Sequence, residues 1–399
     1  MRRHGSLCLL LAIAVIVPIL LSAKKAAAIP AFARRYKLSC TTCHAPFPKL
    51  KPYGDDFAGD GFVIPEEERE RDYISAGDDL LWLNRDFPFA MRFDAYMSLE
   101  ANGDTRTDLR TPWGLKLMSG GALYKSISYY FYFYLSEHGE VAGVEDAYIH
   151  FNDLGGLPLD AMVGQFQTSD PLMKRELRLT FEDYQIYKQR IGQATANLAY
   201  DRGLMVTYGI DATATDLVAM VVNGNGIDES NAAGFYDDDA FKNVAGRVSQ
   251  GLGEYGSVGG FVYYGKEEAA NGVENEITYA GPDINLAAGP VELTAQYLYR
   301  QDTNAEFVTV VDPSAPDIEE TETNGLIAEL IIAPQGDQSR VHGVLLYNKI
   351  DCDIDAYDYE SMTGSLSYLL ARNLRLVAEY TRDLEFEENR VTFGFVSGF

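Results

Sequence analysis

The stretch FAMRFDAYMSLE, residues 89–100, alternates apolar with polar or amphipathic side chains at a period of two. One face carries apolar side chains: Phe89, Met91, Phe93, Ala95, Met97 and Leu99. The other carries Arg92, Asp94, Tyr96, Ser98 and Glu100. Because successive side chains of a β-strand point to opposite sides, this pattern predicts a strand with one apolar face.

The same alternation recurs along most of the chain. It is found in TPWGLKLM (111–118), SISYYFYFYLSE (126–137), DAYIHFND (146–153), VELTAQYLYRQD (291–302), NLRLVAEYTRD (373–383) and RVTFGFVSGF (390–399). The last of these segments ends on Phe399, which shares a face with Val391, Phe393 and Phe395, as the terminal strand of a bacterial outer-membrane protein does. A soluble β-sandwich or solenoid would also alternate, so the strand pattern does not choose the architecture by itself.

The connections between these segments favour a membrane barrel. Short turns near Gly120, Gly156 and Ala212 alternate with long polar loops, including some thirty residues before Tyr200 and the run 302–323. Outer-membrane barrels have short turns at one end and long loops at the other, with an even number of antiparallel strands. We therefore predict an all-β fold, a transmembrane barrel of roughly 16 antiparallel strands, in the bacterial outer membrane.

Three regions are expected along the chain. Residues 1–28 have Arg2 and Arg3 before a short apolar run and small residues at Ala26 and Ala28, which is typical of a secretory signal peptide. The alternative, a retained anchor helix, is disfavoured by Pro18 and by the shortness of the run. Residues 29–87 form a short plug segment and linker, and residues 88–399 form the barrel. The net charge of −26 excludes nucleic acid as a partner.

The plug segment contains SCTTCHAPFPKL at positions 39–50. A C-x-x-C-H motif is typical of covalent c-type haem attachment, in which Cys40 and Cys43 bond the porphyrin and His44 binds the iron. Zinc is an alternative, but the motif supplies three ligands and no nearby residue completes a tetrahedral site. A local disulfide is a second alternative. Export favours the haem, so we expect one haem c.

The distal iron ligand is not apparent, because no Met or His lies between His44 and Met91. Barrel residues that face the lumen could supply it, and Met118 and His150 are the candidates that the alternation points inward. Met91 and Met97 belong to the lipid-facing set and are discounted. Weaker candidates are Met205, His342, Lys49 and Lys51, and a five-coordinate iron is the remaining alternative.

The segments FARRYKLSCTTCH and PFPKLKPYGDDFAGDGF, together with the signal and the barrel, resemble the fused monohaem c-type cytochrome–porin family. These proteins are outer-membrane iron oxidases of Fe(II)-oxidising bacteria and their relatives. The matching residues are Pro30, Phe32, Arg34, Tyr36, Pro48, Leu50, Gly54, Phe57 and Gly61, beside the C-x-x-C-H motif. The resemblance covers the whole architecture, but the barrel itself carries no diagnostic residue.

The resemblance implies an electron conduit surrounded by outer-membrane lipid. One haem would accept electrons from an extracellular donor, Fe(II), and pass them to a periplasmic c-type cytochrome; the chain would then be an Fe(II)-oxidising oxidoreductase. Two alternatives are outward electron discharge to extracellular acceptors and a haem-plugged transport porin. By the same resemblance, Cys40 and Cys43 attach haem and His44 binds its iron.

The predicted outer loops are acidic. One contains Asp302, Glu306, Asp312, Asp317, Glu319, Glu320 and Glu322, and another contains Asp351, Asp353 and Asp355. Such loops would concentrate a cation such as Fe²⁺ at the barrel mouth. The alternative is that these acids only bind divalent ions that bridge surface lipids. We find no hydrolase or nucleotide-binding motif at a strand–helix junction.

Overall fold

The structure is a computed structural model that describes residues 31–64, 87–102, 104–171, 173–309 and 320–399. The predicted signal peptide (1–28) and the charged run that follows the plug (65–73) lie outside these residues.

Within the described residues, sixteen antiparallel strands close into one barrel in which each strand pairs with its neighbours in sequence and the first pairs with the last. The strands are β1 Phe89–Asn102, β2 Asp104–Tyr124, β3 Ile127–Glu137, β4 Gly143–Phe151, β5 Leu159–Phe166, β6 Asp201–Ile210, β7 Thr215–Val222, β8 Asn243–Gly251, β9 Gly256–Glu268, β10 Glu274–Ala288, β11 Val291–Asp302, β12 Thr321–Ile332, β13 Val341–Cys352, β14 Tyr359–Ala371, β15 Leu374–Asp383 and β16 Asn389–Gly398. Closure of the barrel pairs the backbone N–H and C=O groups of the first and last strands, which could find no other hydrogen-bond partner in lipid. The predicted barrel is confirmed.

The last residue of the chain helps to close the barrel. The Phe399 N–H donates to the Met91 carbonyl at 2.8 Å, and the Met91 N–H donates to the Phe399 carbonyl at 2.6 Å. The terminal strand is thereby hydrogen-bonded to its full length against β1.

The two faces of β1 differ in exposure as the alternation predicts. The side chains of Met97 and Leu99 are about two-fifths exposed on the outer surface, at 43% and 40%, whereas Arg92 and Ser98 are buried in the lumen. An apolar exterior around a polar interior is typical of a barrel that is embedded in a lipid bilayer. Among the described residues, no helix has the length and apolar character needed to cross a membrane.

Helical structure is confined to short pieces. Helices α1 (Ala31–Tyr36), α2 (Cys40–Cys43) and α3 (Pro52–Gly59) belong to the plug, and α4 (Gln185–Lys188) belongs to the connection between β5 and β6. Single 3₁₀ turns occur at Leu154–Gly156, Arg175–Leu177, Gly253–Tyr255, Gly336–Gln338 and Asp355–Tyr357.

The plug, residues 31–64, sits at the barrel end that carries the short turns. Arg34 donates to the Phe89 carbonyl at 2.6 Å, where β1 begins. Lys49 pairs with Glu292 at 2.8 Å, beside the β10–β11 turn. Lys51 pairs with Asp337 in the β12–β13 turn. These charged contacts hold the plug at the mouth of the barrel.

The connection from residue 167 to residue 200, here called the inner loop, folds into the lumen. It leaves the barrel at the long-loop end, as the connection lengths predict, but it turns into the lumen instead of staying outside. Glu379 of β15 accepts hydrogen bonds from the backbone N–H groups of Phe181 (2.7 Å) and Glu182 (2.9 Å). Arg375 donates to the Leu179 carbonyl at 2.6 Å. Polar wall residues thus satisfy loop backbone that would otherwise be buried without partners.

The turn expected near Gly120 is also misplaced. β2 runs on to Tyr124, and the chain reverses at residues 125–126. A Cβ at position 120 would lie 3.1 Å from the Phe62 ring and 3.3 Å from the Phe32 ring. The glycine therefore serves close packing of the plug against the wall rather than a turn.

One expected loop acid is a lumen residue. Asp302 ends β11, is fully buried and pairs with Arg300 at 2.6 Å. Asp312, Asp317 and Glu319 lie outside the described residues. The other acids of the two loops are exposed: Glu306, Glu320, Glu322, Asp351, Asp353 and Asp355.

Candidate functional site

The C-x-x-C-H motif forms one helical turn followed by a tight reversal. The hydroxyl of Ser39 accepts a hydrogen bond from the Thr41 N–H at 3.4 Å and caps α2. The His44 N–H donates to the Cys40 carbonyl at 2.8 Å, and the Lys51 N–H donates to the Cys43 carbonyl at 2.9 Å. These bonds hold both thiols and the imidazole in one compact segment.

Aromatic rings pack the plug together and dock it on the wall. The Phe32 ring centroid lies 5.4 Å from that of Phe57 and 5.0 Å from that of Phe62. Phe62 in turn stacks on Tyr130 of β3 at 4.8 Å. Such pairs add to the burial energy of the rings. Two of these aromatics, Phe32 and Phe57, are residues that carry the family resemblance.

A cavity of about 220 Å³ lies between the plug, the barrel wall and the inner loop, and is called the plug cavity below. Cys40, Cys43 and His44 line it from the plug, and Met118 lines it from β2. Apolar side chains make up much of the remaining wall, including Phe32, Leu38, Leu50, Phe57, Phe62 and Leu177. The inner loop supplies Gln167, Asp170, Lys174 and Glu176.

His44 is oriented as an iron ligand would be. Its Nδ1 lies 2.8 Å from the Pro48 carbonyl oxygen, which can only accept, so Nδ1 carries the proton and Nε2 is the nitrogen with the free lone pair. Ligating histidines typically donate their second N–H to a carbonyl in this way. Burial lowers the pKa of His44 below its ordinary value, which favours the neutral imidazole that metals bind.

The remaining groups suit a haem c. Cys40 and Cys43 are free thiols, and burial raises the pKa of each above its ordinary value. Arg92 and Lys174 line the same cavity, where each is paired with a carboxylate, Asp94 at 2.8 Å and Asp170 at 3.5 Å. A haem c needs two thiols for attachment and an imidazole for its iron, and a thioether can be the second iron ligand. The plug cavity brings these groups together between apolar walls.

The two favoured distal candidates occupy different places. Met118 lines the plug cavity with His44, whereas His150 is not among the described residues that line it. His150 is buried in β4, and its Nδ1 has no hydrogen-bond partner within the described residues. Met205 is buried in the core cluster that packs around the inner loop. His342 is buried, and Lys49 and Lys51 are engaged in the ion pairs given above.

Beyond the plug cavity lies a second one of about 260 Å³, the outer cavity, which reaches the long-loop end at His138 and Lys188. Arg92 and Glu176 line both cavities, so one layer of side chains separates them. Tyr132 faces the plug cavity and Tyr134 the outer one, with ring centroids 5.3 Å apart.

We call this layer the septum. It consists of Arg92, Lys116, Tyr132, Tyr134 and Glu176, and Glu176 links several of the others by hydrogen bonds. The hydroxyls of Tyr132 (3.2 Å) and Tyr134 (3.1 Å) and the Lys116 ammonium (2.5 Å) all donate to Glu176 Oε2. Burial alone would raise the pKa of Glu176, but Lys116 and Arg175 hold it well below its usual range. Sequence reasoning missed Glu176, Lys174 and Asp170, because nothing local marks a long loop as lumenal.

The chain matches no protein-family model, and no curated protein matches it. It is similar in structure to the anion-selective porin from Comamonas acidovorans, with a TM-score of 0.55, 12% identity, and coverage of 79% of this chain and 99% of the porin. It is also similar to the outer-membrane channel DcaP of Acinetobacter baumannii, with a TM-score of 0.52, 14% identity, and coverage of 79% and 97%.

OmpT of Vibrio cholerae gives a TM-score of 0.52 at 12% identity, covering 79% of this chain and 99% of OmpT. These similarities show the fold: the chain has the sixteen-stranded barrel of outer-membrane porins. With its apolar outer face, that fold puts the barrel in the outer membrane, as expected from the sequence.

The described parts of the acidic outer loops hold no grouped metal ligands. In the part of the chain that the structure describes, no three His, Cys, Asp or Glu side chains are grouped so that they could hold a metal ion. Cys352 is buried, and its sulfur accepts a hydrogen bond from the Thr323 hydroxyl at 3.2 Å. Its neighbours Asp351 and Asp353 are exposed, so this group also lacks a ligand set.

Proposed function

We propose that this chain is an outer-membrane electron conduit that holds one haem c at the short-turn end of its barrel. Electrons would come from an extracellular donor, Fe(II), and leave to a periplasmic c-type cytochrome. The observation that carries the proposal is that Cys40, Cys43, His44 and Met118 line one cavity. Cys40 and Cys43 would attach the haem, His44 would bind its iron through Nε2, and Met118 would be the distal ligand.

The position of the plug supports transfer to the periplasm. Short turns of outer-membrane barrels face the periplasm and long loops face outside. The plug is tied to the short-turn end by Arg34, Lys49 and Lys51, so a haem there would lie within reach of a periplasmic partner.

A bound haem would supply one-electron redox chemistry. The chain's own residues would orient His44 through the Pro48 carbonyl, cover the group with plug aromatics and keep lumen solutes away through the septum. The barrel would then act as a sheath that carries a redox centre into an insulating membrane, with the inner loop filling part of its lumen.

The test is visible spectroscopy of the purified, detergent-solubilised protein. A pyridine haemochrome assay should give one covalently bound haem per chain, and replacing both Cys40 and Cys43 by Ala should remove it. Stopped-flow mixing of the oxidised protein with Fe(II) near neutral pH should then produce reduced haem bands rapidly. Absence of covalent haem would refute the proposal. Reduction by dithionite alone, followed by reoxidation by ferric oxide, would instead indicate outward discharge.

A further inference from the structure

The outer cavity differs in charge from the rest of the chain. Within the described residues, seven Arg and Lys side chains line it, against five carboxylates. The chain as a whole has a net charge of −26, and its exposed outer loops are acidic. The interior above the septum therefore has the opposite sign to the loops that surround its mouth.

The carboxylates of this cavity are already engaged by cations. Four of the five are in ion pairs: Asp94 with Arg92, Glu176 with Lys116, Asp183 with Arg175, and Glu182 with Arg390. Arg175 holds Asp183 through both Nε and a terminal nitrogen, at 3.0 and 2.8 Å. A free divalent cation would have to displace these contacts and would meet a surplus of positive charge.

Two cations keep donor capacity for a ligand. The Nε of Arg178 is buried and has no hydrogen-bond partner within the described residues; Asp183 Oδ1 lies 3.6 Å from it, beyond hydrogen-bond distance. The Lys188 ammonium lies 3.6 Å from Asp183, a carboxylate that Arg175 already holds more closely, and its side chain is 41% exposed. Guanidinium and ammonium groups with unused N–H donors recognise carboxylates through charge-assisted hydrogen bonds.

We propose that the outer cavity is an anion site for a small multivalent carboxylate, free or as its iron chelate. Arg178 and Lys188 would bind the carboxylates, while Trp113 and Phe181 provide an aromatic wall, with the Arg110 guanidinium 5.4 and 5.5 Å from their ring centroids. That such a chelate would deliver electrons across the septum rests on the proposed function. The anion site itself does not.

Trp113 provides a reporter, because the chain has two tryptophans and the other is Trp82. In the full-length Trp82→Phe protein, titration with citrate or its redox-inert gallium(III) complex should change Trp113 fluorescence saturably. Lys188→Gln and Arg178→Gln, made in that background, should each weaken binding by about tenfold or more, the loss of one charge-assisted contact. Lys242→Gln removes an exposed cation that does not line the cavity and should leave binding unchanged.

The absence of a saturable change with citrate would overturn the site, and so would an equal response in Lys188→Gln, whose exposed position leaves folding intact. A stronger response to free Mn²⁺ than to citrate would also overturn it. Because Trp113 fluorescence reports binding of citrate directly, this measurement does not depend on electron transfer to a haem. Citrate binding without haem reduction by Fe(II) would therefore leave the anion site standing and refute the proposed function instead.

Discussion

Gly54 packs directly on Cys43: a β-carbon at position 54 would lie 2.4 Å from the Cys43 carbonyl oxygen and 3.0 Å from the Leu50 side chain. That carbonyl also accepts the Lys51 N–H at 2.9 Å, so it cannot move away without breaking the reversal that follows the motif. The absence of a side chain at Gly54 thus allows α3 to support the thiols and His44.

Gly54→Ala should therefore disturb the haem segment. The clash is with backbone, and an overpacked buried site costs about 1–3 kcal/mol. We expect a lower ratio of covalent haem to protein, measured by haemochrome absorbance. Gly59→Ala is the matched control, because its β-carbon would meet nothing within 4 Å at the end of the same helix. Equal haem content in both variants would contradict this account of the packing.

Replacement of Met118 should change the iron's coordination, since this side chain lines the plug cavity. Met118→Ala should convert a low-spin ferric spectrum to high-spin and lower the haem reduction potential, because loss of a thioether ligand favours the oxidised state. Met97→Ala, on the lipid face, and His150→Ala should keep the native spectrum. A high-spin shift in His150→Ala alone would reverse the assignment of the distal ligand.

The inner loop should keep the lumen closed to solutes. Liposomes that contain the protein should swell slowly in small sugars compared with liposomes that contain an open porin. Glu379→Gln replaces a carboxylate that accepts two loop N–H groups with an amide that cannot accept both equally, so the loop should loosen and swelling should speed up. Glu385→Gln, in an exposed turn, is the control. Rapid swelling by the unaltered protein would favour a transport porin.

Docking of the inner loop should resist acid. Burial alone would raise the pKa of Asp183, but Arg178 and Arg175 hold it well below its usual range of about 4. A carboxyl with a depressed folded pKa stabilises the fold above its unfolded pKa, and this contribution is lost as pH falls through the folded pKa. We therefore expect Trp113 fluorescence in Trp82→Phe protein to stay native as pH falls to about 4 and to change only below that.

Asp183→Asn should remove this contribution and leave Glu176, at 3.5 and 4.0 Å, as the carboxylate paired with Arg175 and Arg178, at a cost of about 3 kcal/mol. The inner loop should then be cleaved faster by trypsin at neutral pH. Asp211→Asn, in an exposed turn between β6 and β7, should behave as the unaltered protein does. Identical cleavage of the two variants would show that Asp183 does not anchor the loop.

Several features were accessible from the sequence because they depend on local geometry. A strand turns successive side chains to opposite faces, so alternation predicted the strands and the lumenal direction of Met118, and the succession of short and long connections predicted the strand number. The C-x-x-C-H motif is also local, since Cys40, Cys43 and His44 fall on one turn of backbone.

Other features could be decided only by tertiary contacts. The inner loop is lumenal because Arg375 and Glu379, some two hundred residues further along the chain, satisfy its backbone. Gly120 is a docking position because Phe62 packs on it from the plug. Met118 and His150 both point inward, yet only three-dimensional closure of the barrel brings the first to the plug cavity beside His44. Sequence alone determined which way each strand residue faces, whereas depth along the lumen depends on strand register and on what fills the barrel.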